Sequence, residues 1–347
     1  MLRSSAFPRH GPEYSGPLSS ALGDNFKQLL YIESKKQPFP FSKFPKMKSM
    51  LSNILFSFLL LSCNTEPSTL PVENDEPDPQ KIKYWYAGDA EISSYELTQA
   101  RYGELRNGKA VLVFVTEPFS PVTNAKSDQE KKDDVSVLKL NFTKKFNTGV
   151  YPYSMMTSSF FPFDNGQHSL KISSSSQEWC GHTYMEMRNN PRKKEFEFNV
   201  NSYFEGETKN NFKTDKTLLE DDFWSMIRLS PDELPTGKQK VVPSFFYLRL
   251  LHKELKAYDC VLTMTKNQDK TNSYNISFPN LDRSTTIKFA NEFPHSILSW
   301  EETYQSGFGS DRKELTTSGK LINTIKSDYW KRHSNKDLPL RKELGLD

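Results

Sequence analysis

From about residue 90 onward, apolar and polar side chains alternate with period two, and this commits most of the chain to β-strands with one buried face. In residues 195–206, Phe196, Phe198, Val200 and Phe204 fall on one side, and Glu195, Glu197, Asn199 and Asn201 on the other. In residues 151–163, Tyr151, Tyr153, Met155, Phe161 and Phe163 share a face. Residues 90–106 and 109–117 flank Asn107-Gly108, a strong hairpin-turn dipeptide. The return strand, Ala110–Val115, is apolar throughout, as expected at the centre of a sheet. Further strands are predicted at 135–145, 168–176, 178–187, 241–252, 256–265, 273–279, 284–290 and 296–304, with a solvated loop over 118–134.

One helix is predicted between Lys216 and Leu229, capped by Asp215, with Leu219, Phe223, Met226 and Ile227 along one side. A second is predicted from Gly319 to His333, ahead of a charged tail. No repeat of solenoid period is present. The fold class is therefore mainly β: a curved antiparallel sheet or incomplete barrel of about ten to twelve strands with one inserted helix. Two packed sheets are the alternative. At fold level a tethered incomplete barrel with a helical lid is similar to the lipoprotein carriers LolA and LolB.

The start of the chain reads differently. Lys46 and Lys48 precede the apolar run Leu51–Leu61, which ends in Ser62-Cys63. A basic segment, a short apolar segment and a small residue before the cut make a secretory signal. The run falls well short of the roughly 20 residues that a membrane span needs. Leu60-Leu61-Ser62-Cys63 resembles the bacterial lipobox. That resemblance implies cleavage before Cys63 and acylation of Cys63. Asn64–Gln80 follows with four prolines and five acidic residues, an extended linker reaching about 50 Å. The expected organisation is a disordered or over-extended segment 1–46, a signal peptide 47–62, a lipidated Cys63 and linker 63–80, a β-domain 81–310 and a helical or charged tail 311–347. Asn64 after the cysteine favours sorting to the outer membrane, facing the periplasm or the cell surface.

Charge follows the same division. Residues 1–62 hold 8 Lys/Arg and 3 Asp/Glu, leaving 38 basic and 40 acidic residues from Cys63 onward. The part beyond the leader is near neutral, which gives no footprint for a nucleic-acid partner.

The tightest local constellation is Gln177-Glu178-Trp179-Cys180-Gly181-His182. On a continuous strand, Glu178, Cys180 and His182 point to one face. A thiol beside an imidazole makes an activated nucleophile, and the three residue types ligate zinc. No second paired motif completes a metal set, so no cofactor is implied, and an ordinary half-buried strand is the competing reading. His168, His252, His295 and His333 are isolated. Glu220-Asp221-Asp222 suits a helix start, and Lys144-Lys145 reads as solvated charge. Besides Cys63 there are two cysteines. Cys260 reads as a buried free thiol, with a pairing to Cys180 as the alternative.

Tyr84–Tyr95, Gln99–Glu104 and Gln177–His182 resemble blocks in a group of Gram-negative envelope lipoproteins labelled "septum formation inhibitor Maf", over roughly residues 80–305. Maf proteins are nucleotide pyrophosphatases with an S-x-S-P-R-R type motif. The nearest string here, Ser4–His10, lacks the serine before proline and the second arginine. The leading expectation is a non-enzymatic envelope lipoprotein that binds an apolar ligand or a protein partner. The alternatives are a thiol-based or metal-dependent hydrolase at Cys180 and His182, and a Maf-type pyrophosphatase.

Overall fold

The computed structural model describes residues 78–347 apart from Asn165 and Pro191. The expectations for residues 1–77, including the signal peptide and Cys63, lie outside the described residues.

The predicted alternation is realised as strands β1 (Ala90–Arg101), β2 (Glu104–Ser120), β3 (Ala125–Lys126), β4 (Val135–Thr148), β5 (Tyr151–Pro162), β6 (Lys171–Glu178), β7 (Gly181–Asn189), β8 (Glu195–Ser202) and β9 (Lys209–Asp215). Then follow β10 (Leu218–Leu219), β11 (Gly237–Val242), β12 (Tyr258–Lys266), β13 (Thr271–Phe278), β14 (Arg283–Ala290), β15 (Ile297–Ser306) and β16 (Lys313–Ser327). The helices are α1 (Pro79–Trp85), α2 (Glu220–Leu229), α3 (Phe245–Leu250) and α4 (Pro339–Glu343). All sixteen strands belong to one curved sheet that does not close, so the two-sheet alternative is set aside.

The sheet is an up-and-down meander whose first and last strands are neighbours: β16 pairs with β1. Its free edges therefore lie in mid-sequence, at β9 and β10. Only Lys216 and Thr217 separate these edges along the chain. The Lys216 N–H donates to Lys194 O at 3.0 Å, and the Thr217 hydroxyl donates to Lys240 O at 2.6 Å. At this seam the chain leaves the sheet to build α2 and α3, which both enter the concave interior.

α2 has ten residues, too few to be stable alone. It is held by burial of Phe223, Trp224, Ile227 and Leu229, each contributing about 1.5–3 kcal/mol. Trp224 packs on Phe142 and Trp300 with ring centroids 4.9 and 5.5 Å apart. At its far end Arg228, 1% exposed, forms a two-pronged pair with Glu91 at 2.5 and 2.6 Å. The expected start at Lys216 with an Asp215 cap is corrected. Leu218 and Leu219 pair in parallel with Val241 and Val242, and the helix begins only at Glu220.

On many strands the buried face is apolar and the outer face polar, although on β1 and β2 Ile92, Val111, Val113 and Val115 form a separate apolar cluster with Leu344. Along β8, Phe196, Phe198 and Val200 are buried while Asn201 is exposed; along β13, Tyr274, Ile276 and Phe278 are buried between half-exposed Ser273, Asn275 and Ser277. A lipid-spanning barrel has the opposite arrangement, with an apolar band outside. Among the described residues no helix is long and apolar enough to cross a membrane.

Other expectations need correction. The hairpin turn is Tyr102-Gly103, both at positive φ (55° and 73°), the geometry of a two-residue turn. Asn107-Gly108 lies inside β2, where a Cβ on Gly108 would stand 2.2 Å from Lys145 O. The predicted strand 241–252 divides into the end of β11 and helix α3, because Pro243 breaks the ladder. The predicted helix 319–333 is mostly strand: β16 runs to Ser327 and pairs on both sides, so the sheet continues past residue 310. Two helices are inserted, not one. Lys144 is buried inside the sheet at 3% exposure rather than solvated.

Candidate functional site

Helix α3 organises one end of the interior, beneath the tips of the β1–β2, β6–β7 and β15–β16 hairpins. All six of its residues are buried. Its first N–H groups have no local side-chain cap and are met instead from α2. The Ser244 N–H donates to Glu220 at 2.9 Å and the Phe245 N–H to Asp221 at 3.0 Å. Glu220 is bound on its other side by both terminal nitrogens of Arg283 at 2.7 Å, and Arg283 also donates to Glu302 at 2.8 Å. Burial pushes the Asp221 carboxyl up to about 7, against the pull of its Phe245 hydrogen bond. Asp222 accepts from the Ser169 N–H and hydroxyl. The acidic triplet thus anchors the two inserted helices to the sheet and to each other.

α3 separates two cavities. One, of about 250 Å³, is lined by Arg101, Tyr102, Tyr247, Leu250, Tyr304 and Phe308, among others. Arg101 there donates to Leu250 O and to the Tyr102 and Tyr153 hydroxyls at 2.9 and 3.1 Å, and its guanidinium lies 4.0 Å from the Tyr102 ring centroid. The other, of about 210 Å³, lies between α3 and strands β7–β9. Met185, Val200, Phe212, Leu248 and Leu255 make its apolar walls, Arg249, Lys209, Lys253 and His252 add positive or titratable groups, and Glu207 and Glu254 add carboxylates. A larger depression of about 580 Å³ follows the seam past Thr217, Lys238 and Lys240; it is a shallow polar surface rather than an interior space.

Glu178, Cys180 and His182 come to the rim of this region but are not brought together on one face. Trp179 and Cys180 form the two-residue turn between β6 and β7, and Gln177 pairs with His182. The turn interrupts the strand on which the shared face depended. Glu178 is buried, and its carboxylate accepts from the Cys180 N–H at 2.6 Å. Cys180 is exposed, and its hydrogen bond to the Glu178 carboxylate pushes the thiol up, away from thiolate formation. His182 is exposed next to inward-facing Thr183. Cys260 is buried and free, so the alternative pairing with Cys180 does not occur. Among the described residues no group of three or more His, Cys, Asp or Glu is placed to hold a metal. His168 and His252 each face one carboxylate, Asp222 and Glu207.

The residues that sequence reasoning missed are the inward cations Arg101, Arg249 and Arg283. Their signal was phase. Arg283 precedes Thr285, Ile287 and Phe289 on the buried face of β14. Arg249 sits within an unbroken apolar run.

No protein-family model matches the chain, and no curated protein matches it. A solved structure, a porin-like protein from Bacteroides uniformis, is similar over 67% of this chain and 95% of its own length. Its identity is 7% and its TM-score 0.19, values too low to carry an argument.

Proposed function

We propose that the chain is an envelope lipoprotein, tethered through Cys63 outside the cytoplasm, whose β-domain binds an apolar ligand without chemical turnover. The carrying observation is the 210 Å³ cavity beside α3. The centre of the concave interior is packed with the rings of Phe142, Trp224, Phe246 and Trp300, and the other cavity beside α3 is lined largely by polar groups such as Arg101, Gln305, Ser306 and Arg312. In the 210 Å³ cavity five apolar side chains face open space instead. Its volume lies below the roughly 300–1,000 Å³ of pockets that enclose drug-sized ligands, so it suits one slender apolar chain.

Native mass spectrometry and displacement of a fluorescent fatty-acid probe test this reading. Met185→Trp fills the cavity and is expected to abolish displacement while the fold is kept. Absence of any co-purified or displaceable apolar molecule in the wild-type protein overturns it. The tether is tested by metabolic palmitate labelling, which Cys63→Ser is expected to abolish.

A second reading, docking of a protein partner, is favoured by Trp179, Tyr203 and Phe308. These are 69%, 66% and 64% exposed on loops at the same end of the sheet. A photocrosslinker at position 179 is expected to give one discrete adduct in cells; a smear or none argues against it.

A further inference from the structure

One wall of the cavity beside α3 is cationic, and its charge is poorly used. Arg249 is 5% exposed. Its Nε donates to the Thr183 hydroxyl at 3.0 Å, its Nη2 lies 3.7 Å from a Glu178 oxygen, and its Nη1 has no hydrogen-bond partner. A guanidinium carries five N–H donors, and a buried donor left unpaired is costly. Arg101, also 5% exposed, likewise lacks a carboxylate partner and leaves its Nε unpaired, whereas two other buried arginines are paired with carboxylates. Arg228 makes a two-pronged bond to Glu91 and a third bond to Pro294 O, and Arg283 binds Glu220 in the same way and Glu302 besides. Glu178, the carboxylate nearest Arg249, is turned to the Cys180 N–H instead. What covers the Arg249 guanidinium is the ring of Phe204, at 5.0 Å, from the loop between β8 and β9.

The cavity mouth extends this pattern. Glu207 is engaged by His252, and Glu254 lies 2.8 Å from Lys256 and 3.8 Å from Lys209. Lys253 lines the cavity and joins no ion pair among the described residues.

We propose that this site takes an anionic single-chain amphiphile, with its carboxylate on Arg249 and Lys253 and its hydrocarbon chain against Met185, Val200, Phe212, Leu248 and Leu255. The proposal rests on reading this cavity as an apolar-ligand site, and adds the headgroup. The acceptor displaces the Phe204 ring from the guanidinium, exchanging a cation–π contact for a two-pronged charge-assisted hydrogen bond of the kind Arg228 and Arg283 make internally.

Titration calorimetry of the full chain carrying Cys63→Ser, against decanoate and decanol above neutral pH, separates the two claims. Decanoate is expected to bind at least tenfold more tightly than decanol. Arg249→Gln is expected to erase that preference by weakening decanoate binding at least tenfold. Equal binding of both ligands by the Cys63→Ser protein overturns the headgroup assignment and leaves the apolar-ligand reading intact. Binding of neither overturns both. A preference that survives Arg249→Gln overturns the role of Arg249. Should that variant not fold, Lys253→Gln is expected to reduce the preference partially, and an unchanged preference counts against the site.

Discussion

Arg228→Met tests how the plug helix is fixed inside the sheet. The guanidinium and the Glu91 carboxylate are each 1% exposed and joined by two hydrogen bonds of 2.5 and 2.6 Å. Rings of Trp85 and Phe114 flank the guanidinium at 5.1 and 4.8 Å. Methionine preserves much of that packing but leaves Glu91 charged, buried and served only by the Tyr84 hydroxyl and, at 3.5 Å, the Ser93 hydroxyl. Breaking a buried pair from one side costs about 3–5 kcal/mol. At about 2–4 °C per kcal/mol for a domain of this size, Tm should fall by roughly 6–20 °C. The double variant Glu91→Leu/Arg228→Met removes the stranded charge. Buried pairs replaced by apolar residues are often neutral, and the Tyr84 hydroxyl loses its acceptor at about 1 kcal/mol. The double variant should therefore lie within about 1–2 kcal/mol of the wild type. Urea denaturation followed by tryptophan fluorescence reads both. A single variant costing less than about 1 kcal/mol, or a double variant as unstable as the single, refutes the reasoning. Burial pulls the Glu91 carboxyl upward, and the Arg228 charge more than offsets it, leaving it below its usual value. The stability it contributes is full above the unfolded value of 4.5 and is lost as pH falls through the depressed folded value.

Asp221 has the opposite sign. Its carboxyl rises from 3.8 to about 7, so the folded state holds the extra proton and this contribution to stability declines as pH rises between those values. Asp221→Asn should flatten that slope in urea melts across the same pH range. Iodoacetamide should label exposed Cys180 slowly at neutral pH, and Glu178→Gln should speed labelling by removing the charge that raises the thiol; buried Cys260 should react only on unfolding, as peptide mass spectrometry would show. Gly108→Ala forces a Cβ to within 2.2 Å of Lys145 O and should cost about 1–3 kcal/mol in chemical denaturation, although Asn-Gly reads as a tolerant turn.

Strand existence was legible because a one-sided sheet imposes period two on each strand, as in Phe196–Val200 and Tyr274–Phe278. Turn placement was less legible. Asn107-Gly108 has turn chemistry but serves close packing, whereas Tyr102 adopts positive φ in the real turn. Helix α3 is hidden because every residue of Phe245–Leu250, Arg249 included, is buried, and a helix buried all round has no period to detect. β16 was mistaken for a helix because only Thr317 and Gly319 have buried or closely packed positions in an otherwise half-exposed strand. The candidate site was the least legible part. Arg101 and Arg283 carry charge in the inward phase of their strands, where a period-two reading expects apolar side chains, and Arg249 lies in a stretch that fits a buried strand as well as a helix. Glu178 was singled out, but as one of a shared face with Cys180 and His182, and that face exists only if the strand continues through Trp179.

The pairing of β16 with β1 brings Ser93 and Thr324 within 2.8 Å, 231 residues apart in sequence. For a chain synthesised N-terminus first, the consequence concerns timing. β1 and β2 are made early, yet the other side of β1 stays bare until the last strand has been made. Contacts of such separation form slowly, and an uncovered strand edge recruits other chains. A nascent chain of this kind therefore needs shielding until its last strand is in place. Loss of residues beyond Ser306 would expose two long edges, on β1 and β15, turning a truncation into an aggregation event rather than a shortened but functional domain.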